Sequence, residues 1–160
     1  MRKDPQRLQA LRQCLILESS AERAYDDLVR LLATGLEVPL AMVSLLDEQR
    51  DWFKAGVGTK LTESPASTSF CEAFFNTDKD LIVVEDTGGD ERFAGHPMVA
   101  GPPHVRFYAA ARLALDGQTL GTMCAYDLRP RQVSAAQLQL VRDLAEAVLD
   151  LLRQRRPAVD

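Results

Sequence analysis

The stretch FYAAARLALDGQTLGTMCAYD, residues 107–127, decides the fold. Residues 107–115 and 120–127 are two apolar runs of strand length. Asp116-Gly117 between them is a pair that tolerates positive φ at both central positions of a tight turn, so a β-hairpin is expected. Upstream, residues 40–46 form another apolar run, bounded by Pro39 and by the turn-like DEQR at 47–50. Residues 51–57 return with Trp52 and Phe53 and close on Gly56 and Gly58, which predicts a second hairpin. DLIVVE at 80–85 reads as a further buried strand. Consecutive hairpins favour an antiparallel sheet, and strands apolar on both faces need cover on both sides.

Helices supply that cover. Pro5 suits a first helical turn, and Leu8, Leu11 and Leu15 recur at spacings of three and four. Ser19 with Glu22 is a capping-box pattern for a second helix. Its apolar side reads Ala24, Leu28, Leu31 and Leu32, and Gly35 is its natural stop. A short helix is expected after Pro65, with Phe70, Ala73 and Phe74 on one side. Ser134 with Gln137 opens a C-terminal helix carrying two stripes. One is Leu138, Val141, Ala145, Val148 and Leu152; the other is Leu140, Leu144, Ala147 and Leu151. One stripe suffices to pack a helix on its own sheet. The second predicts either a homodimer contact or a helix wedged between elements of its own domain.

The resulting expectation is an α+β layered domain. Terminal helices cover one face of a central antiparallel sheet. The short helix and the Gly/Pro-rich loop at 86–106 cover the other face, above a pocket. A loop of that length in a compact domain is usually functional. Residues 1–19 are read as an N-terminal helix offered to a dimer contact, 20–155 as the domain proper and 156–160 as a tail.

Composition excludes several classes. The 160 residues suit one domain, and 46% hydrophobic with 26% charged residues is ordinary globular usage. A net charge of -4 lacks the basic stripe that nucleic-acid binding requires. Arg153, Arg155 and Arg156 are explained by the negative end of the last helix dipole. No apolar run approaches a membrane span, and the N-terminus has no signal-peptide pattern, so a cytoplasmic protein is expected. Three widely spaced cysteines, Cys14, Cys71 and Cys124, fit reduced thiols rather than a disulfide framework.

Several segments occur together in order: VSLLDEQRDWFKAGVG at 43–58, TSFCEAFF at 68–75, the run from Asp80 to Leu113, and LGTMCAYDLRPRQVSAAQLQLVRDLA at 120–145. Within them lie D-x-R-F at 90–93, P-x-V at 97–99 and G-P-P-x-x-R-F-Y-A at 101–109. In these features the chain resembles a GAF domain (a PAS-like fold), of the bacterial sensory type found with histidine kinases and diguanylate cyclases. The resemblance implies a signal-transduction module that binds a small molecule and relays it through terminal helices, beside a kinase or cyclase partner. It names no ligand or cofactor. The N-K-F-D-E signature of cyclic-nucleotide-binding members is absent. Cys71 has no adjacent histidine of the bilin-anchoring kind, and the cysteine motif of the methionine sulfoxide reductase branch is not found.

Candidate binding residues follow from side-chain chemistry. Arg92 and Arg106 are read either as recognising carboxylate or phosphate, or as pairing with Asp86, Asp90 or Asp127 to pin the loop. Trp52, Phe70, Phe93, Tyr108 and Tyr126 are aromatic groups for a pocket wall or a core. Cys71 is read as a redox-active thiol, approached by His96 or His104, or as a small packed residue. Ala109–Ala111, Gly121 and Ala125 leave room above the sheet for a ligand or for a close helix. No phosphate loop, nucleophile elbow, catalytic carboxylate pair or metal-ligand spacing occurs. A binding module rather than an enzyme is therefore expected. A thiol sensor or small reductase using Cys71 and a ligand-free dimerisation domain remain as alternatives.

Overall fold

The computed structural model describes residues 1–156; residues 157–160 of the expected tail lie outside the described residues. Helix α1 (Pro5–Gln13) is followed by α2 (Arg23–Leu36), then strands β1 (Leu40–Leu46), β2 (Arg50–Val57) and β3 (Glu63–Pro65). Short 3-10 segments occupy Ala66–Thr68 and Phe70–Asn76, and the edge strand β4 spans Leu81–Val84. A 3-10 turn (Thr87–Gly89) and the one-turn α3 (Pro97–Ala100) lie within the long loop. Strands β5 (Phe107–Leu115) and β6 (Gln118–Asp127) lead to α4 (Ala135–Arg155).

The six strands form one antiparallel sheet in the order β3-β2-β1-β6-β5-β4. Both expected hairpins are present. Asp116 (φ 53) and Gly117 (φ 79) make the tight turn between β5 and β6. Alternation along each strand sends residues to opposite faces. Ala41, Val43, Leu45, Ala109, Leu113 and Met123 join a core beneath α1, α2 and α4. Met42, Leu46, Tyr108, Ala110 and Cys124 join a second core beneath Phe70–Asn76 and the 86–106 loop. The two-sided cover expected from the apolar strands is thus the architecture observed. The Ser134–Gln137 capping box forms reciprocally at the start of α4, an arrangement that contributes about 1 kcal/mol.

Several local readings are corrected. Leu15 is not helical: it lies in the left-handed region (φ 53) and is exposed. Ser19 does not cap α2. The cap residue is Glu22, without a side-chain cap bond, and the Ser19 hydroxyl accepts from Lys54 Nζ at 2.8 Å. The buried face of α2 is Tyr25, Val29, Leu32, Ala33 and Leu36, with Ala24 and Leu31 exposed. Tyr25 outcompetes the smaller Ala24 for the core. Gly35 is not the helix stop, since α2 runs to Leu36 and Glu37 takes the left-handed cap. Gly35 is instead where α2 meets α4, because a Cβ there would lie 2.1 Å from Leu140 Cδ2. Of the second α4 stripe, Leu144 is in the helix-side core and Leu140 and Leu151 pack against it. Leu138, the first residue of the other stripe, is only half-buried.

Strand β4 is an edge strand with only Ile82 and Val84 fully buried. The short strand β3 carries no apolar alternation that would have marked it. Arg155 does more than complement a helix dipole: it donates to Cys14 O at 3.0 Å and to Glu22 at 2.6 Å, tying α4 to the α1–α2 connection. Leu11, Cys14 and Ile16 of the N-terminal segment pack into the helix-side core.

Candidate functional site

A cavity of about 240 Å³ opens on the loop-covered face. Leu40 and Met42 of β1, Phe53 of β2 and Tyr126 of β6 form its floor, with Ser69 and Phe70 on one side. Met98, Pro103 and Val105 of the long loop close another side, and Thr59 and Leu61 of the β2–β3 connection with Ser64 of β3 form the rim. The lining is mostly apolar with a few convergent hydroxyls and one carboxylate, Asp51, the usual make-up of a small-molecule site.

Asp51 is 4% exposed and sits at the inner end. The Ser69 hydroxyl donates to its Oδ2. Arg2 Nη2 lies 2.9 Å from the buried Oδ1, an ionic contact. Burial pushes the Asp51 carboxyl above its ordinary value, against the Ser69 hydroxyl and the Arg2 guanidinium. Arg2 also donates to Glu72 Oε2 and to Asp47 O, both at 2.8 Å.

Phe70 is the hub of the loop-side aromatic cluster. Its ring lies 5.3 Å from Phe93, 4.2 Å from His96, 5.3 Å from Tyr108 and 5.4 Å from Tyr126. It also walls a second cleft of about 340 Å³, lined by Glu72, Asn76, Arg92, Phe93 and His96 among others.

The expected site residues divide accordingly. Phe70 and Tyr126 line the first cavity, while Phe93 and Arg92 line the second. Trp52 belongs to the helix-side core: the strand's alternation sends Phe53 to the cavity and Trp52 away from it. Tyr108 is wholly buried under Phe70. Asp86 is exposed and accepts from Gly88 N at 3.0 Å, capping the turn at 87–89. Arg92 is held by Asp90 at 2.9 Å, and Arg106 donates to Val99 O at 2.8 Å, so both pin the loop. Sequence reading missed Met42, Asp51, Phe53, Leu61, Ser69 and Met98. Only Asp51, a charge inside an apolar strand, carried a signal.

Cys71 is buried against Thr122 Oγ1 at 3.0 Å and Tyr108 Oη at 3.3 Å, and neither histidine is among its hydrogen-bond partners. Hydrogen bonding with the Cys124 thiol holds Cys71 below the ordinary thiol value, against its burial. Burial pushes Cys124 well up. All three cysteines are buried. Ellman's reagent is therefore expected to find no fast thiol in the native protein and three after denaturation. A single fast native thiol lost in Cys71→Ser would restore the redox reading.

His96 organises the lid. Met98 N–H donates to its Nδ1 at 3.0 Å, leaving Nε2 to donate to Thr68 O at 3.2 Å. Burial lowers the imidazole below its ordinary value. The unfolded chain takes up this proton near about pH 6.5, and the folded chain only at lower pH. Stability is thus fully present above the unfolded value and lost as pH falls through the folded one. Asn at this position keeps a capping oxygen without titrating. The melting temperature of the native protein should fall more between pH 7.5 and pH 5.5 than that of His96→Asn. Equal slopes would remove His96 as the titrating group.

Fold and cavity together define the class: a small α+β domain with an antiparallel sheet covered on both faces. The chain belongs to the GAF domain family, whose model matches residues 20–149. It is 37% identical over 117 residues to a cyclic di-GMP phosphodiesterase of Pseudomonas aeruginosa, covering 72% of this chain and 20% of that protein. The chain therefore spans about one fifth of that relative's length. Among solved structures it is similar to the GAF domain of an Acinetobacter phosphoenolpyruvate-protein phosphotransferase. The TM-score is 0.69 at 18% identity, covering 98% of this chain and 99% of the other. It is also similar to the free methionine-R-sulfoxide reductase of Neisseria meningitidis. There the TM-score is 0.66 at 15% identity, with 94% and 89% covered. At such identities the likeness is one of fold alone, and that fold carries an enzyme as well as sensory domains. No helix among the described residues is long and apolar enough to cross a membrane.

Proposed function

We propose that this GAF domain is a non-enzymatic sensor that takes a small, largely apolar molecule into the cavity between β1, β2, β6 and the long loop. The observation that carries this reading is the cavity itself. It is walled by Phe70, the hub to which the loop aromatics are stacked. An occupant that repositions Phe70 shifts the Phe70–Asn76 segment, whose far side touches the N-terminal arm. Arg2 donates to Glu72, and the Arg7 guanidinium lies 5.1 Å from the Phe75 ring. The signal thus has a contact route from cavity to α1, provided the occupant binds the two arrangements with different affinity.

Output runs through the terminal helices to a second copy of the chain and on to a kinase, cyclase or phosphodiesterase partner. Leu31 exposed on α2 and the half-buried Ala147 on α4 support a helix-borne dimer contact. The long phosphodiesterase relative supports an enzymatic partner domain.

A thermal-shift screen of metabolites tests the reading. A binder at a hundredfold excess over its Kd stabilises by about 2.7 kcal/mol, and Leu40→Trp, which fills the cavity from its floor, should remove the shift. No shift by any compound, or a shift that survives Leu40→Trp unchanged, would overturn the assignment. Sedimentation equilibrium checks the dimer, and a monomer at tens of micromolar would displace that part.

A further inference from the structure

The cavity's charge pattern says what kind of molecule it takes. This step rests on the cavity being a ligand site. Among its lining residues the single charge is the Asp51 carboxylate. The guanidiniums nearby are occupied elsewhere: Arg92 on Asp90, Arg106 on the Val99 carbonyl, and Arg112 on the Phe74, Thr77 and Lys79 carbonyls. Lys54 has its side chain fully buried on the opposite face, against Glu22. Arg2 carries one positive charge against the two carboxylates it touches, Asp51 and Glu72. Arg7 also lies against Arg2 and Glu72, so the one charge that faces the cavity itself is the Asp51 carboxyl group. Its Oδ1 stands 2.9 Å from Arg2 Nη2 at the wall of the cavity. Around it stand the rings of Phe53, Phe70 and Tyr126, whose faces attract cations.

We propose that this site selects an apolar aromatic amine, its ammonium or N–H group directed at the Asp51 carboxyl group, and rejects anions. A carboxylate or phosphate placed there would face a like charge at low dielectric, with Arg2 already engaged by Asp51 and Glu72. An ammonium meets the opposite charge of Asp51, and its ring lies among the aromatic walls. The arginines that the sequence offered as anion receptors are the reason the opposite selectivity looked plausible. Their partners are inside the loop.

Three probes of one ring system isolate the charge: tryptamine, indole and indole-3-acetate, titrated by ligand-observed NMR. Tryptamine is expected to bind roughly tenfold or more tightly than indole-3-acetate, with indole between them. Asp51→Asn, checked for folding by circular dichroism, should compress the spread to within about threefold. Arg2→Gln removes the competing cation and should widen the spread, which keeps the test decisive if Asp51→Asn fails to fold. Indole-3-acetate binding as well as or better than tryptamine would overturn the charge selection and leave the cavity a ligand site. A preference for tryptamine that neither variant alters would overturn it equally. Failure of all three probes to bind at millimolar concentration, with Leu40→Trp indistinguishable from the parent protein, would remove the ligand site and this inference together.

Discussion

Gly121→Ala is expected to cost about 3 kcal/mol or more, a large share of the roughly 5–15 kcal/mol that holds a domain together. Gly121 lies mid-sheet in β6, opposite Leu45 of β1 and Leu113 of β5. A Cβ added there would sit 2.1 Å from Ser44 O and 3.2 Å from Leu45 Cα. These are backbone atoms of the neighbouring central strand. They cannot swing aside as a side chain does, so β1 and β6 must part and the two cores they separate must repack. Gly89→Ala is the control, because nothing lies within 4 Å of a Cβ there. Urea unfolding followed by circular dichroism reads the difference. If Gly121→Ala and Gly89→Ala unfold at the same midpoint, the close approach of β1 and β6 is wrong.

Phe70→Ala should destabilise by about 3–5 kcal/mol, as removal of a buried phenylalanine does. Phe70 is 2% exposed and stacks with Phe93, His96 and Tyr108. Losing its ring removes those contacts together and leaves the lid loop without the side chain on which it rests. The ring is also the partition between the two cavities of about 240 and 340 Å³, so the truncation merges them into a larger apolar space. Such space binds small aromatics. Indole added to Phe70→Ala should recover part of the lost melting temperature, and by more than it raises that of the parent protein. A loss below about 1 kcal/mol would mean the loop is held mainly by its own hydrogen bonds, such as Val105 N to Met98 O at 2.8 Å, rather than by the ring.

The sequence made the hairpins and the last helix legible because their signals are local. Asp116-Gly117 fixes its turn by backbone conformation, and Ser134 with Gln137 closes a cap within one helical turn. Leu40–Leu46 was readable to the residue because Pro39 and a polar tetrapeptide bound a run that is apolar except at Ser44. The start of α2 was misread because Ser19 has two competitors for its hydroxyl. Ile16 O, three residues back, accepts from it, and Lys54, brought close only by tertiary structure, donates to it.

The candidate site was legible only in part, and the reason is parity. Trp52 and Phe53 are adjacent aromatics in one strand, and nothing local states which faces the lid. A register shift between Val43 and Ser44, where Ala55 and Phe53 are the successive partners, leaves Lys54 as the extra residue on β2. Lys54 reaches Glu22 on the helix side, and Ala55 joins the same core. The loop arginines posed the same difficulty: their residue type fits a ligand carboxylate or a loop carbonyl equally well.

By itself the sequence determined an antiparallel sheet, its two-sided cover and its family, because turn conformation, capping and alternating burial are written within a few residues of one another. Tertiary structure decided which face each aromatic meets, that Asp51 rather than an arginine ends the cavity, and that Arg2 reaches it. Those outcomes depend on contacts between residues 49 positions apart, as in Arg2 with Asp51, and on strand pairings whose register no local pattern encodes.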